Sequence, residues 1–287
     1  MVARLAGVLF DGIAYGSLLY LVSIGLSVTM GLMRFVNLAH GAFAMLGGYL
    51  SVALVRQGVP FLATLPLVFV AVALAGGVLE RALYRRLYRA PQLDQVLFSI
   101  GLTFMAVAAA TWVFGPSQQP VRLPEPLRGQ IRLAGLDLGR YRLFLVALVA
   151  ALAILLRLLV ERTRFGARLR AAVDDPAVAA AMGIDVARVS AVTFALGTGL
   201  AGLGGALGVE VLGLDPTFPV KYLVYFLLAV VVGGAGSLQG TAVAALALGV
   251  FDVAGKYYVP QLGAFVIYAL MVVLLVAFPA GLYGRRA

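Results

Sequence analysis

Cysteine is absent from the sequence, and histidine occurs only once. Without cysteine the chain has no disulfide bond, no zinc–thiolate site and no thiol nucleophile. No group of His, Asp or Glu has the spacing of a metal site or a catalytic cluster, so we predict no catalytic and no metal-binding residue. A phosphate-binding loop of the form GxxxxGK(S/T) is also absent, which indicates that the chain does not hydrolyse ATP itself.

Charged residues make up only 12% of the chain, whereas hydrophobic residues make up 63%. The mean hydropathy of +1.04 lies far outside the range of a soluble globular domain. The formal charge of +10 does not indicate a nucleic-acid surface, because the arginines gather in short connections between apolar runs. This composition predicts an integral membrane protein.

The apolar segments are long enough to cross the hydrocarbon core of a membrane, which takes about 20 residues in a helix. They cover residues 5–33, 36–55, 59–80, 93–115, 142–160, 189–213, 223–254 and 263–280. The first is too long for the core of a signal peptide, so we expect it to be retained. In lipid the segments must be helices, since a lone strand leaves its backbone unpaired. We predict an all-α, polytopic helix bundle with about eight segments that forms one domain over residues 1–287.

Two of these segments are predicted to be discontinuous or re-entrant. Residues 223–254 exceed the length of one crossing and contain the run GGAGSLQG at 233–240, which indicates two half-helices joined by irregular backbone. The stretch 34–42 places Asn37 and His40 at the mouth of another apolar segment. Either they lie at the headgroup interface or cap a helix, or a broken helix exposes them to a water-filled path, as in transporters.

Three carboxylates lie within or beside apolar segments: Asp11, Glu210 and Asp252. Each of them could line a path or neutralise a basic group. Glu210 is the nearest to a segment end and could simply reach the membrane interface. The sequence leaves these interpretations open.

Two hydrophilic stretches separate the apolar segments. Residues 116–142 contain four prolines and are predicted to form an extended loop with a short hairpin. Residues 161–188 are predicted to be helical. In them Asp174 and Asp175 cap a helix that begins with a proline, and Gly183 ends it. We call residues 161–188 the coupling loop below.

The distribution of arginine predicts the orientation. The stretch 81–89 and the coupling loop, which must share one side, together carry nine arginines, four and five respectively, whereas the loop 116–142 carries five. Because cytoplasmic loops are richer in basic residues, we predict a cytoplasmic coupling loop and an extracytoplasmic loop 116–142. The tail with Arg285 and Arg286 is cytoplasmic as well only if residues 223–254 enter and return to the same face.

Several stretches resemble the permease subunits of high-affinity branched-chain amino acid ABC importers. The stretch RAAVDDPAVAAAMGID at 170–185 is similar to the loop through which those permeases seat on their ATPases. GLMRFVNLAHGAFAMLGGY at 31–49 and VVVGGAGSLQGTAVAALALG at 230–249 resemble the two broken helices of the family, and FPAGLYGRR at 278–286 resembles its C-terminal end. The stretch 37–41 is closer to the shorter of the two permease types.

This resemblance implies a heterodimer with the longer permease type, in the plasma (inner) membrane of a bacterium or archaeon. It also implies two cytoplasmic ATPase subunits, which bind ATP and magnesium so that this chain needs no cofactor, and an extracytoplasmic solute-binding protein. The implied ATPase contacts are Arg170, Ala171, Asp174, Asp175, Gly183 and Ile184. The residues implied to border the substrate path are Asn37, His40, Gly41, Gly233 and Gly234.

Other functions stay open at this stage. A permease of a urea or short-amide importer shares these motifs. An ATP-independent channel or carrier and a membrane-embedded enzyme belong to different classes. Genes for two ATPases and a binding protein next to this gene would favour the importer.

Overall fold

The computed structural model describes residues 2–33, 35, 37–88, 90–133, 136–278 and 281–283. The helices are α1 (Val2–Met33), α2 (His40–Arg56), α3 (Phe61–Leu79), α4 (Arg85–Leu87), α5 (Gln92–Phe114), α6 (Arg140–Arg162), α7 (Arg164–Asp174), α8 (Pro176–Ala181), α9 (Val186–Leu212), α10 (Phe218–Gly233), α11 (Leu238–Tyr258) and α12 (Gly263–Ala277). Arg285 and Arg286 of the predicted tail lie outside the described residues, and so do residues 34, 36, 89, 134, 135, 279, 280 and 284 of the stretches discussed above.

Within the described residues, six helices are long and apolar enough to cross a membrane. They are Arg4–Met33, Phe61–Leu87, Gln92–Phe114, Arg140–Arg162, Val186–Leu212 and Leu238–Tyr258, with shorter apolar helices at Phe218–Gly233 and Phe265–Leu274. A π-helical turn, Glu80–Tyr84, joins α3 to α4 in one continuous span. The predicted all-α, multi-pass fold is confirmed. The predicted number of about eight segments is approximate, because residues 223–254 form two helices, α10 and α11.

Helix α9 lies at the centre of the bundle, where it packs against α1, α2 and α3. Glycine makes this possible, since the absence of a side chain lets two backbones approach closely in lipid. Gly197 of α9 faces Gly25 of α1, and a Cβ at Gly205 would overlap the carbonyl group of Ala44 in α2. Helices α5 and α6 instead expose most of their residues at the periphery.

The proline-rich loop between α5 and α6 lies at the N-terminal end of α1. Its elements are a 3-10 turn (Glu125–Leu127) and two antiparallel strands, β1 (Gln130–Leu133) and β2 (Leu136–Gly139). Arg142 of α6 pairs with Asp11 of α1. The backbone N–H of Gln119 donates to the Leu214 carbonyl at 2.7 Å, just beyond the end of α9. The predicted hairpin is confirmed.

The coupling loop lies at the opposite, C-terminal end of α1, where Leu32 packs against Leu169 of α7. Helix α1 has 32 residues, which corresponds to about 48 Å at the usual helical rise. The two hydrophilic connections are therefore at opposite ends of the bundle, and the N-terminal end of α1 is on the side of the proline-rich loop.

The last three helices return the chain to the end of the bundle that holds the coupling loop. Helix α11 runs antiparallel to α1, with Gly236 beside Gly31. Helix α12 then runs back, and the backbone N–H of Leu282 donates to the Val232 carbonyl at 2.7 Å. Residues 223–254 thus enter and return to one face, as the predicted position of the tail required.

Candidate functional site

The first break lies between α1 and α2 and carries Asn37, which is 2% exposed. Its Oδ1 atom accepts from the backbone N–H of Ala39 at 3.1 Å and from the hydroxyl of Tyr84 at 3.0 Å. Asn37 Nδ2 has no hydrogen-bond partner among the described residues. A buried donor without a partner costs about 1–3 kcal/mol, so this amide is a candidate for binding a passing substrate.

The histidine opens α2 inside the bundle. His40 is 1% exposed, and its Nε2 donates to the Val22 carbonyl of α1 at 2.8 Å, since a carbonyl only accepts. Val22 precedes the end of α1 at Met33 by eleven residues, which is about 16 Å along the axis. This depth favours a broken helix over a histidine at the headgroup interface.

The second break connects α10 to α11 through residues 234–237, as the glycine-rich run predicts. Gly234 and Gly236 have φ angles of +94° and +86°, a left-handed conformation that glycine adopts without strain. Gly233 lies so close to the start of α11 that a Cβ would approach the carbonyl carbon of Gly240 to 2.5 Å. A side chain at Gly233 would therefore push the two helices apart.

Both breaks are fastened to the same stretch of α1. The backbone N–H of Gly236 donates to the Ser27 carbonyl at 3.0 Å. Ser27 follows Val22, which the first break contacts, by five residues, or about 7.5 Å along the axis of α1. Gly41 of α2 faces Pro219, so α10 runs from the first break to the second. The predicted path residues gathered around α1 and α10 are Asn37, His40, Gly41, Gly233 and Gly234. Their role in transport stays a prediction.

Glu80 lies next to the first break and was not singled out by the sequence. It belongs to the π-helical turn and is 1% exposed. Its Oε1 accepts from the hydroxyl of Tyr88 at 2.8 Å, while Oε2 has no partner within the described ranges. Burial, followed by this hydrogen bond, raises the pKa of Tyr88, so its phenol remains a donor. The one sequence signal that could have pointed to Glu80 is its position at the end of an apolar segment. A glutamate at that position equally indicates the end of a membrane span.

The coupling loop forms α7 and α8, and its predicted acidic cap is confirmed for Asp175, whereas Asp174 is the last residue of α7. Asp175 Oδ1 accepts from the backbone N–H groups of Ala177 at 2.8 Å and Val178 at 3.0 Å. These bonds satisfy donors that would otherwise be free in the first turn of α8. Gly183 follows α8 with a φ angle of +82°, as expected for a glycine that ends a helix.

The coupling loop is packed onto the bundle and is not a loose connection. Leu169 forms a small core with Leu32 of α1 and Val189 of α9. The predicted ATPase contacts are exposed at Arg170, Asp174, Asp175 and Gly183 and partly buried at Ala171 and Ile184. Val178 of α8 and Met182, the residue that follows the helix, are four residues apart and are 58% and 78% exposed. The sequence did not single out these two, although apolar residues four apart on a short helix are a usable signal.

A groove of about 390 Å³ separates the coupling loop from the second break. Arg170 and Asp174 line it on the side of α7. Gly236 and Ser237 line it on the side of the break, and Gly31 of α1 contributes as well. The second break is therefore the nearest part of the predicted path to the coupling loop.

Two of the three membrane carboxylates neutralise basic groups. Asp11 pairs with Arg142, and the buried Asp252 accepts from Lys256 Nζ at 2.5 Å. Glu210 is exposed near the end of α9. In the part of the chain that the structure describes, no group of three or more His, Cys, Asp or Glu residues is arranged to hold a metal ion.

Comparison with known proteins adds a consistent result. The family described as "Branched-chain amino acid transport system / permease component" matches residues 8–275. The chain is 26% identical to the high-affinity branched-chain amino acid transport system permease protein LivH of Salmonella typhimurium, over 96% of this chain and 94% of that protein. It is also 26% identical to the corresponding permease protein BraD of Pseudomonas aeruginosa, over 96% and 95%. A probable LivH of Methanocaldococcus jannaschii is similar at 26% identity, over 96% and 92%. No solved structure matches the chain significantly.

Proposed function

The chain belongs to the permease family of branched-chain amino acid transport systems, and we propose that it is one permease subunit of an ATP-driven importer for branched-chain or related small amino acids. It is a multi-pass protein of the bacterial or archaeal inner membrane. In the proposed complex it pairs with a second, longer permease subunit. Two cytoplasmic ATPase subunits bind ATP and magnesium, and an extracytoplasmic solute-binding protein delivers the substrate.

The structure of the coupling loop carries this proposal. Its two short helices are held by their own cap and by a small core on α1 and α9. Val178 and Met182 nevertheless turn apolar side chains outward. Exposed apolar residues grouped on a rigid element are typical of a surface that binds another protein. The ATPase subunits are the partner we assign to this surface.

The contacts of α1 suggest how a push on the coupling loop reaches the substrate path. ATP binding closes the ATPase subunits, and their movement displaces α7 and α8. Because Leu169 packs on Leu32, the end of α1 moves with them. The same helix holds the first break at Val22 and the second at Ser27. The bundle then rocks between an outward and an inward opening, as other two-state transporters do.

The proposed path binds its substrate weakly, since a site that held it tightly would slow its release. Asn37 and the glycines of the second break offer amide and backbone groups and no full charge. Selectivity then rests mainly with the solute-binding protein.

Uptake by the whole complex tests the proposal. The complete importer, assembled with the partner subunits of the proposal, is reconstituted in vesicles and supplied with radiolabelled leucine or urea. We expect leucine uptake that requires ATP and the binding protein. Uptake of urea without leucine would instead identify the related short-amide importer, and uptake that proceeds without ATP would identify a channel or carrier.

A further inference from the structure

Helices α2 and α5 touch at few places and leave an apolar cavity of about 260 Å³ between them. Ala42 and Leu46 line it from α2, Leu102 and Ala106 from α5, and Leu79 from α3. In an unrelated protein, a cavity of about 150 Å³ is enough to hold benzene. The α2–α5 cavity is therefore large enough for an aliphatic side chain.

Two aromatic rings close the end of this cavity that points toward the proline-rich loop. Tyr49 stacks on Phe114, with ring centroids 4.4 Å apart and planes at 26°. Tyr49 is 2% exposed, and its hydroxyl has no hydrogen-bond partner among the residues described. Most buried polar groups in proteins are paired, so such a hydroxyl needs an explanation.

The other end of the cavity lies at the first break. Ala39 lines the cavity, and its backbone N–H is held by Asn37, whose Nδ2 lacks a partner in the described part of the chain. The N-terminus of α2 is at the same place and carries a partial positive charge. This end offers a hydrogen-bond donor to the polar part of a substrate, whereas the walls offer only hydrocarbon.

A second apolar cavity shows what distinguishes the first. It measures about 490 Å³ and lies between α3, α6 and α9, with Phe69, Leu152 and Leu203 in its walls. None of the unpaired buried polar side chains found in the described residues lines it. Lipid chains suit such a groove, because lipid needs no polar group. The α2–α5 cavity is also lined almost wholly by apolar groups, but Tyr49 belongs to its lining, and Asn37 lies two residues before Ala39 at the other end.

We propose that the α2–α5 cavity receives the aliphatic side chain of a neutral amino acid during transport, with the Asn37 amide donating to the polar part of the substrate beyond one end and the Tyr49–Phe114 pair closing the other. This inference rests on the proposed function and names the part of the path that the side chain occupies. Helix α5 is then a wall of the path, and the separation of Tyr49 from Phe114 opens it toward the proline-rich loop.

Cysteine accessibility tests the occupant directly, because the natural chain contains no cysteine. Ala106→Cys places a thiol in the cavity, and Ala108→Cys places one on the exposed outer face of the same helix. Each variant is assembled into the complete importer and treated with a charged methanethiosulfonate. We expect the reagent to modify Ala106→Cys and to lower its leucine uptake by roughly tenfold, while Ala108→Cys stays unmodified in lipid.

Larger side chains at residues 106 and 108 give a second test of the cavity, which needs no labelling reagent. Ala106→Phe fills the cavity and should lower leucine uptake by roughly tenfold, whereas Ala108→Phe should stay within about twofold of the natural chain. Both variants are compared at equal amounts of assembled complex.

Three results would overturn the inference. A thiol at Ala106→Cys that never reacts, or reacts only when the second permease subunit is missing, would show that lipid or a partner helix fills the cavity. If the modified Ala106→Cys variant or the Ala106→Phe variant shows no loss of leucine uptake, the cavity is a water-filled space outside the path. A natural complex that takes up no leucine would overturn the proposed function itself, and the aliphatic occupant with it, whatever the labelling shows.

Discussion

Three polar side chains buried in the bundle, Asn37, His40 and Glu80, are 2%, 1% and 1% exposed. Each makes a hydrogen bond to a different group: the Tyr84 hydroxyl, the Val22 carbonyl and the Tyr88 hydroxyl. Polar groups are costly inside a membrane and are kept there for structure or function. His40 has a clear structural contact, whereas Asn37 and Glu80 each keep one atom without a described partner.

Replacement of the histidine separates its structural and functional roles. His40→Ala removes the hydrogen bond to Val22, which contributes about 1 kcal/mol in a typical protein. We expect leucine uptake to fall more than the amount of assembled complex, because α2 starts at this residue beside the proposed path. The measurement is uptake divided by purified complex, with His40→Gln as the variant that retains a donor. Unchanged uptake per complex would leave His40 with a packing role only.

Close helix contacts give a second prediction, for stability. A Cβ at Gly205 would overlap the Ala44 carbonyl, whereas no described atom lies within 4 Å of a Cβ at Gly101 on α5. Gly205→Ala should therefore cost about 1–3 kcal/mol through overpacking, and Gly101→Ala should stabilise its helix slightly. Thermal unfolding of the two variants in detergent gives the comparison. Equal melting temperatures would mean that α2 and α9 are farther apart than described.

Short helices and interruptions, more than the long spans, carry the proposed mechanism. Helix α8 has only six residues, too few to be stable alone, yet its cap and its core on α1 and α9 hold it in place. The break between α10 and α11 is similarly held by Ser27. Both elements are held in part by α1, so in the proposed mechanism this helix is the link between them.

Proline at two equivalent turns tests the coupling loop as an element. Gly183 and Gly58 have φ angles of +82° and +90°, and each donates its backbone N–H to a carbonyl at 3.0 Å. Proline has no N–H and cannot adopt a positive φ angle, so Gly183→Pro and Gly58→Pro disturb comparable turns at opposite ends of the bundle.

We expect Gly183→Pro to insert into the membrane but to lose its association with the ATPase subunits and its substrate-stimulated ATP hydrolysis. Gly58→Pro should retain the ATPase subunits. Copurification and ATP hydrolysis are measured for both. Normal coupling in Gly183→Pro, or equal loss in both, would contradict the assignment of the coupling loop.

For the whole molecule, the contacts place the proline-rich loop and the coupling loop at opposite ends of α1, with the C-terminal residues 281–283 near the second break. The distribution of arginine predicts that the coupling-loop end is cytoplasmic. The partner subunits in the proposal depend on this orientation, since ATP is available only inside the cell.

Labelling of single cysteines in intact spheroplasts tests the orientation. Gln130→Cys lies in the exposed hairpin and Met182→Cys at the exposed end of α8. An impermeant maleimide should label Gln130→Cys directly and Met182→Cys only after the membrane is permeabilised. The natural chain, which lacks cysteine, is the control. Labelling of Met182→Cys from outside would place the coupling loop on the wrong face for an ATPase.

Local properties of the sequence were enough to predict several features correctly. The apolar runs specify membrane helices because backbone groups in lipid must pair within the segment. The cap at Asp175 and the irregular backbone at 234–237 also follow from a few neighbouring residues, whose backbone preferences do not depend on the rest of the fold.

Contacts between distant residues were decided only by the tertiary structure. The depth at which α2 begins depends on the hydrogen bond between His40 and Val22. The cavity beside it exists because α5 is separated from α2. Glu80 is buried in a π-helical turn, and no residue pattern in the sequence predicts that turn. Periodicity shows that a helix is apolar, but it does not show which helix it meets. Packing in lipid is set by the shapes of both partners, so the location of the candidate site required the assembled bundle.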